Sequence, residues 1–116
     1  FICYASILNF FIMTMNRREL ILKEIENQPE EPLNYYFLAL EERRDANWQT
    51  CIDLLKKLIK NHPAYQPSYY VLAEIHYQLD QIEEGTFIAK KGIEIAKGLH
   101  QMKALHELEQ LIQLND

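Results

Sequence analysis

A block of five residues recurs after 34 positions and constrains the fold more than any other feature of this chain. Residues 35–39 read Tyr-Tyr-Phe-Leu-Ala, and residues 69–73 read Tyr-Tyr-Val-Leu-Ala. The same offset aligns three further identical pairs, which are Lys56 with Lys90, Lys57 with Lys91 and Ile59 with Ile93. A fixed period of this length is typical of helical repeat arrays, in which each unit buries its apolar face against its neighbours. The sequence therefore predicts an all-α fold, an α-solenoid of antiparallel helix hairpins.

Composition and charge are those of a globular domain. The chain has 116 residues, 48% of them hydrophobic and 25% charged, which is enough for one domain with a real core. Its net charge of −5 argues against nucleic acid as a partner, since nucleic-acid binding needs a basic face. Two cysteines, Cys3 and Cys51, do not make a disulfide framework. Cys51 falls at a small, buried position of the repeat, and we expect an inert thiol there.

The first residues differ from the rest of the chain. Residues 1–16 carry no charge, and Arg17-Arg18 follow them. We expect residues 1–15 to be an apolar extension outside the native fold, with the natural start at Met13 or Met15, and residues 16–116 to be one domain. Two alternatives stay open, namely an additional first helix packed on the array and the remnant of a membrane anchor. A complete span needs about 20 apolar residues, and the stretch is shorter.

Hydrophobic periodicity and proline positions predict six helices. Their ranges are Arg17–Asn27, Pro32–Asp45, Trp48–Asn61, Pro67–Leu79, Ile82–Lys97 and Leu99–Leu114. Pro32 and Pro67 suit the first turn of a helix, and Gly98 suits a helix C-cap. The middle four helices form two repeats, fewer than the three usually needed for stability. We therefore expect the first and last helices to supply the missing neighbours.

These residues resemble the tetratricopeptide repeat. Its pattern of an aromatic followed by Leu-small appears as Tyr35-x2-Leu38-Ala39 and as Tyr69-x2-Leu72-Ala73. The later small-x3 position holds Cys51 in one copy and Gly85 in the other, and Pro63 closes the first copy. The second aromatic of the first helix is replaced by Glu42 and by His76, and we expect His76 to be a structural histidine. The closing proline of the second copy is replaced by Lys97.

No arrangement of residues predicts catalysis or a cofactor. The four histidines lack i, i+4 metal-ligand partners, and neither Cys-x2-Cys nor His-Glu-x2-His occurs. There is no glycine-rich phosphate loop, and the adjacent carboxylates Glu41-Glu42 and Glu83-Glu84 do not face one another on a helix. We therefore expect a non-catalytic protein that binds no metal, no cofactor and no small-molecule substrate.

The resemblance implies a concave groove lined by the first helix of each hairpin. Carried onto this chain, the groove residues are Leu33, Tyr36, Leu40, Arg43, Tyr70, Glu74 and Tyr77. Some members of the family bind a C-terminal carboxylate in this groove through Lys and Asn. Here the matching positions hold Tyr36 and Leu40, then Tyr70 and Glu74, so that this mode of binding is not supported. An aromatic and apolar groove instead suits an extended or helical peptide.

The leading functional hypothesis is a cytoplasmic adaptor that binds a peptide or helix of another protein in this groove. The alternative is a structural subunit in which Tyr36 and Tyr70 form a homodimer interface. A third hypothesis is a membrane-anchored adaptor, which depends on the nature of residues 1–15. The sequence does not identify the partner.

Overall fold

The predicted all-α fold is confirmed. A computed structural model describes residues 15–116, and within that range the chain forms six α-helices. They are α1 (Arg17–Asn27), α2 (Pro32–Arg44), α3 (Trp48–Asn61), α4 (Pro67–Gln78), α5 (Ile82–Gly98) and α6 (Met102–Leu114). The predicted bounds agree to within one residue for the first five helices. The last helix begins at Met102 rather than Leu99. The expectation for residues 1–15 concerns a segment of which residues 1–14 lie outside the described range.

Local sequence explains where the helices begin. The side chain of Asn16 caps α1, because its Oδ1 accepts from the backbone N–H of Glu19 at 2.8 Å. Pro32 and Pro67 are the first residues of α2 and α4, where the missing proline N–H costs no helical hydrogen bond.

Three helices end in the same backbone turn. Ala46, Asp80 and His100 have φ of 60°, 61° and 56°, the left-handed region that normally favours glycine. The backbone N–H of the following residue donates to a carbonyl five residues earlier: Asn47 to Glu42 at 2.8 Å, Gln81 to His76 at 2.8 Å, and Gln101 to Ala96 at 2.9 Å. The expectation that Gly98 caps α5 is wrong. Gly98 is still helical, and His100 takes the left-handed conformation instead.

The helices pack in sequence order as antiparallel neighbours. Helices α2 and α3 form one hairpin and α4 and α5 the next, while α1 packs on α2 and α6 packs on both α5 and α4. The small residues Ala39, Ala73 and Cys51 are fully buried, as expected for close helix contacts. The flanking helices α1 and α6 thus cover the ends of the two-repeat stack. Among residues 15–116, no helix has both the length and the apolar character needed to cross a bilayer.

The two residues that replace the second aromatic of the tetratricopeptide pattern occupy equivalent places in the two repeats. Glu42 and His76 are both buried, and each bonds to the side chain of the residue that follows the turn. Asn47 Nδ2 donates to Glu42 Oε2 at 2.9 Å, and His76 Nδ1 donates to Gln81 Oε1 at 2.7 Å. A polar pair therefore replaces the expected aromatic in both repeats and ties the end of the first helix to its turn.

Gly92 is needed where three helices converge. It lies buried in α5, and a Cβ atom at this position would be 2.7 Å from Tyr69 Cβ and 2.8 Å from Leu108 Cδ1. Helix propensity alone disfavours glycine here by about 1 kcal/mol against alanine. Close contact of α4, α5 and α6 explains why the glycine is nevertheless present.

Candidate functional site

A groove runs across the face formed by the first helix of each hairpin and by α6. Its volume is about 750 Å³, and it is open to solvent. Six of the residues that line it are Tyr36, Tyr65, Gln66, Tyr70, Met102 and Glu107. They come from α2, the loop between α3 and α4, α4 itself and the start of α6. Three helices and one loop therefore build the surface.

The structure places six of the seven predicted groove residues in three different settings. Tyr36, Leu40 and Tyr70 are partly buried and pack against the core. Leu33 is exposed at the start of α2. Arg43 and Glu74 form an ion pair, with Arg43 Nη2 2.6 Å from Glu74 Oε1. This ion pair joins α2 to α4. The charges of the two predicted groove residues therefore neutralise each other.

Tyr77 does not have the position expected for a groove residue. It is buried between α4 and α5, with its hydroxyl 2.7 Å from Thr86 Oγ1. A Cβ atom on Gly85 would lie 2.9 Å from the Tyr77 ring and 3.1 Å from the Ala73 carbonyl oxygen. The equivalent pair in the first repeat is Arg43 with Cys51. The absence of a side chain at Gly85 leaves room for the tyrosine ring, which therefore turns into the hairpin.

The six tyrosines of the described range form two groups, according to whether their hydroxyls make hydrogen bonds within residues 15–116. Those of Tyr35 and Tyr69 donate to the carbonyls of Pro29 and Pro63, at 2.5 and 2.6 Å, which is the same bond one period apart. Tyr77 bonds to Thr86, so that these three tyrosines serve the fold. The other three behave differently. Within residues 15–116, no hydrogen bond to protein is found for the hydroxyls of Tyr36, Tyr65 and Tyr70, all of which line the groove.

The groove tyrosines form one aromatic surface and keep their protons at neutral pH. The rings of Tyr36 and Tyr65 are 5.7 Å apart in an edge-to-face arrangement. Burial raises the pKa of Tyr36 above 10.0, and the pKa of Tyr65 is raised in the same way. The pKa of Tyr70 is raised first by burial and then by the carboxylates of Glu74 and Glu107. All three hydroxyls are therefore available as hydrogen-bond donors.

Sequence reasoning missed the contribution of α6 and of the loop before α4. Met102, Lys103, Ala104 and Glu107 line the groove from α6. A signal was present, since residue 104 lies 34 positions after Tyr70, just as Tyr70 lies 34 after Tyr36. Extending the period once more would have placed this side of α6 in the groove.

Gln66 is the unusual polar residue of the groove. It precedes Pro67 at the start of α4 and is only 9% exposed. Neither its Nε2 nor its Oε1 has a hydrogen-bond partner within residues 15–116. An unsatisfied buried polar group costs about 1–3 kcal/mol.

The described range offers neither a reactive thiol nor a metal cluster. Burial raises the pKa of the Cys51 thiol to about 11, which leaves it protonated and unreactive at neutral pH. Within residues 15–116, no group of three or more His, Cys, Asp or Glu residues is placed to hold a metal ion.

Solved structures with the same architecture are tetratricopeptide repeat proteins. The solution structure of a tetratricopeptide repeat domain protein from Salinibacter ruber matches with a TM-score of 0.73 and 28% identity, over 77% of this chain and 90% of that one. A crystal structure of a tetratricopeptide repeat domain protein from the same organism matches with a TM-score of 0.67 and 27% identity, over 73% of this chain and 94% of that one.

A third structure shares the fold at lower sequence similarity. The crystal structure of MamA matches with a TM-score of 0.61 and 17% identity, over 84% of this chain and 64% of that one. No protein-family model and no curated protein sequence matches the chain. The resemblance first seen in the 34-residue register is thus confirmed, and the chain has the tetratricopeptide repeat fold.

Proposed function

We propose that this protein is a non-catalytic interaction module, a cytoplasmic adaptor that binds a peptide or helix of a partner protein in the groove of α2, α4 and α6. Proteins with this fold are generally interaction modules. The groove offers aromatic surface next to the core, and exposed or half-exposed aromatic residues are frequent anchors at protein interfaces.

The observation that carries this proposal is the division of the tyrosines. Tyr35, Tyr69 and Tyr77 use their hydroxyls to hold the fold together. Tyr36 and Tyr70 lie one period apart and share the groove. No hydrogen bond of their hydroxyls to the rest of residues 15–116 is found, which supports a role in binding a ligand.

A peptide library displayed on phage, panned against the purified protein, tests the proposal. We expect a set of peptides to be enriched. Replacing Tyr36 or Tyr70 by alanine should weaken their binding by about 5- to 30-fold, which corresponds to roughly 1–2 kcal/mol. Phe87→Ala is the matched control, because Phe87 is an aromatic of similar size that is 69% exposed on α5 and does not line the groove. It should leave binding unchanged.

Two results would contradict the proposal. One is that no peptide is enriched. The other is that Phe87→Ala weakens binding as much as Tyr36→Ala does. Light scattering examines the homodimer predicted as the alternative. A dimer that dissociates in the Tyr36→Ala and Tyr70→Ala variants would assign the tyrosine face to self-association instead.

A further inference from the structure

The connection between α1 and α2 repeats the connection between α3 and α4 in detail. Gln28 and His62, which are 34 positions apart, end their helices with φ −136° and ψ 72° and with φ −136° and ψ 69°. Each donates its backbone N–H, at 2.8 Å, to the carbonyl four residues earlier. The tyrosine hydroxyl bonds to the prolines that follow α1 and α3 have the same period. Helix α1 therefore has the place of a second helix in a hairpin.

The described helices leave an apolar stripe of α2 uncovered. Leu33 and Phe37 lie four residues apart on α2, and each is 40% exposed. The residues one and two periods after Phe37 are Val71 of α4 and Leu105 of α6, which are only 5% and 6% exposed. Helix α4 lies beside α2, and α6 lies beside α4. Within residues 15–116, α2 has no such preceding first helix beside it.

The residues before α1 continue the 34-residue register. Residues 1–10 precede residues 35–44 of α2 by one period. Phe1 falls at the aromatic position of the repeat, and Ala5 falls at its small position, which is buried at Ala39 in the next copy. None of the ten residues is charged, which suits burial against an apolar stripe. The segment thus has the pattern of a first helix, one hairpin earlier.

From the repeated connection, the uncovered stripe and this register, we propose that residues 1–10 form a first helix that packs on α2 and covers Leu33 and Phe37. Ten helical residues span about 15 Å, enough to cover two side chains about 6 Å apart along α2. The array then has three hairpins, the number usually needed for stability. This packing replaces the expectation that residues 1–15 lie outside the fold, and it is independent of what binds in the groove.

This first hairpin differs from the other two at its turn. Helix α1 begins at Arg17, three residues after the position equivalent to the start of α3. Arg17 also has the place of the buried Cys51, and its Nε lies 3.3 Å from Glu41 Oε1 of α2. Residues 11–16 therefore form a longer connection than residues 45–47 do between α2 and α3. Contact with the stripe of α2, rather than with the first turn of α1, holds the new helix.

Hydrogen exchange followed by mass spectrometry tests this packing on the 116-residue chain. We expect the amides of residues 1–10 to exchange about tenfold or more slowly than those of a free synthetic peptide of residues 1–14. Phe37→Asp should remove this protection, because a carboxylate cannot be buried against an apolar helix without a large cost. Phe87→Asp makes the same change at a residue that is 69% exposed on α5, and it should keep the protection.

A transplanted ion pair tests the register itself. Arg43 of α2 pairs with Glu74 of α4, and the equivalent residues one period earlier are Asn9 and Leu40. Leu40→Glu should lower the melting temperature, and adding Asn9→Arg should recover about half of that loss. Phe10→Arg, at the next residue of the helix, points about 100° away and should recover none of it.

Four results would overturn the inference. They are exchange of residues 1–10 at the rate of the free peptide, protection that survives Phe37→Asp, protection that is lost on dilution, and equal recovery by Asn9→Arg and Phe10→Arg. Loss on dilution would assign the stripe to a second copy of the chain. The exchange of α4 is followed in the same experiment and should stay slow in Phe37→Asp. If it does not, the whole fold has opened, and the ion-pair variants decide.

Discussion

At the scale of single residues, one member of each adjacent tyrosine pair packs in the fold and the other lines the groove. Neighbouring side chains on a helix point about 100° apart, so that both cannot face the same way. Tyr69 is fully buried, whereas Tyr35 is only partly buried beside α1. Tyr36 and Tyr70 line the groove. The 34-residue repeat predicts equal burial for Tyr35 and Tyr69, but Tyr35 lies near the end of the stack, beside α1, and is covered less completely.

Alanine substitutions should reveal this difference. We expect Tyr69→Ala to lower the free energy of unfolding by roughly 3–5 kcal/mol, as for other large core aromatics. Tyr35→Ala should cost less, roughly 1–3 kcal/mol, since only part of its surface is buried. Chemical denaturation monitored by circular dichroism measures both values. Equal costs would mean that Tyr35 is as deeply buried as Tyr69.

Three glycines of α5 should respond differently to the same change. Gly85→Ala and Gly92→Ala should each destabilise the fold by about 1–3 kcal/mol through overpacking, which outweighs the helix-propensity gain of about 1 kcal/mol. A Cβ atom on Gly98 would have no neighbouring atom within 4 Å, and Gly98→Ala should be neutral or slightly stabilising. Thermal melts of the three variants are the measurement. A stabilising Gly92→Ala would contradict the close approach of Tyr69 and Leu108 to Gly92.

At the scale of elements, the turns that end α2, α4 and α5 share one conformation but not one residue type. Ala46, Asp80 and His100 all have positive φ, where a residue with a Cβ is disfavoured by about 1–2 kcal/mol relative to glycine. At each turn, the backbone hydrogen bond between residues five positions apart stabilises this conformation. The turns are therefore sites where stability can be gained.

Glycine at these turns should stabilise the protein. Ala46→Gly and His100→Gly relieve about 1–2 kcal/mol of backbone strain and lose about 0.4–1 kcal/mol through the entropy of the unfolded chain. We expect a net gain of roughly 0.5–1 kcal/mol for each. Ala64→Gly is the matched control, in a loop without positive φ, and it should be destabilising. If Ala46→Gly and Ala64→Gly change the free energy of unfolding in the same direction, the left-handed conformation of Ala46 is contradicted.

The contact between α1 and α2 should make the free energy of unfolding change with pH in the acidic range. Arg18 donates to Glu42 and also to Asp45, whose Oδ2 lies 2.6 Å from Arg18 Nη2. The hydrogen bond from Arg18 holds the pKa of Glu42 below its ordinary value of 4.5. Because the pKa is lower in the folded state, this contribution is fully present above about pH 4.5 and is lost as the pH falls through the lowered pKa.

Arg18→Gln tests this linkage. Removing the guanidinium returns the folded pKa of Glu42 towards the unfolded one, so that the melting temperature should fall less steeply below about pH 4.5 than in the wild type. Melts between about pH 3 and pH 7 give the two slopes. Lys23→Gln makes the same charge change on the exposed side of α1 and should keep the wild-type slope. If the melting temperatures of Arg18→Gln and the wild type change with pH in parallel, Arg18 is excluded as the source of the pH dependence.

At the scale of the whole molecule, α6 both closes the stack and completes the groove. Its buried face consists of Leu105, Leu108 and Leu111. Burial of one leucine contributes about 1.5–3 kcal/mol, so that the three together approach the roughly 5–15 kcal/mol typical of a whole domain. Loss of α6 would also remove one wall of the groove, which is the proposed binding surface. Stability and the proposed function thus depend on the same helix.

Deleting residues 99–116 should abolish cooperative unfolding and cause aggregation, because the apolar faces of α4 and α5 become exposed. Circular dichroism melts and light scattering measure this. A milder pair of variants gives the same information without a deletion. Leu108→Ala should cost roughly 2–5 kcal/mol, and Leu114→Ala should stay within about 0.5 kcal/mol. Leu108 is 1% exposed and Leu114 is 78% exposed. A truncated protein that melts like the full chain would contradict the capping role of α6.

The sequence by itself determined the features that depend on local chemistry and on the period. Apolar spacing and prolines predicted the helix bounds to within one residue, except at the start of α6. The 34-residue register identified the close contacts at Ala39, Ala73 and Cys51 and placed Tyr36 and Tyr70 on a shared face. These features follow from helix geometry within one repeat, which is set by neighbouring residues.

Only the tertiary structure decided how the repeats differ from one another. Tyr77 turned inward because Gly85, on another helix, left space for its ring. The Gln66 side chain is buried in the loop before Pro67, and its amide has no hydrogen-bond partner within residues 15–116. Both results depend on contacts between residues of different helices. A repeating pattern predicts equivalent environments at equivalent positions, but the ends of a short stack and the size of each neighbouring side chain make those environments unequal.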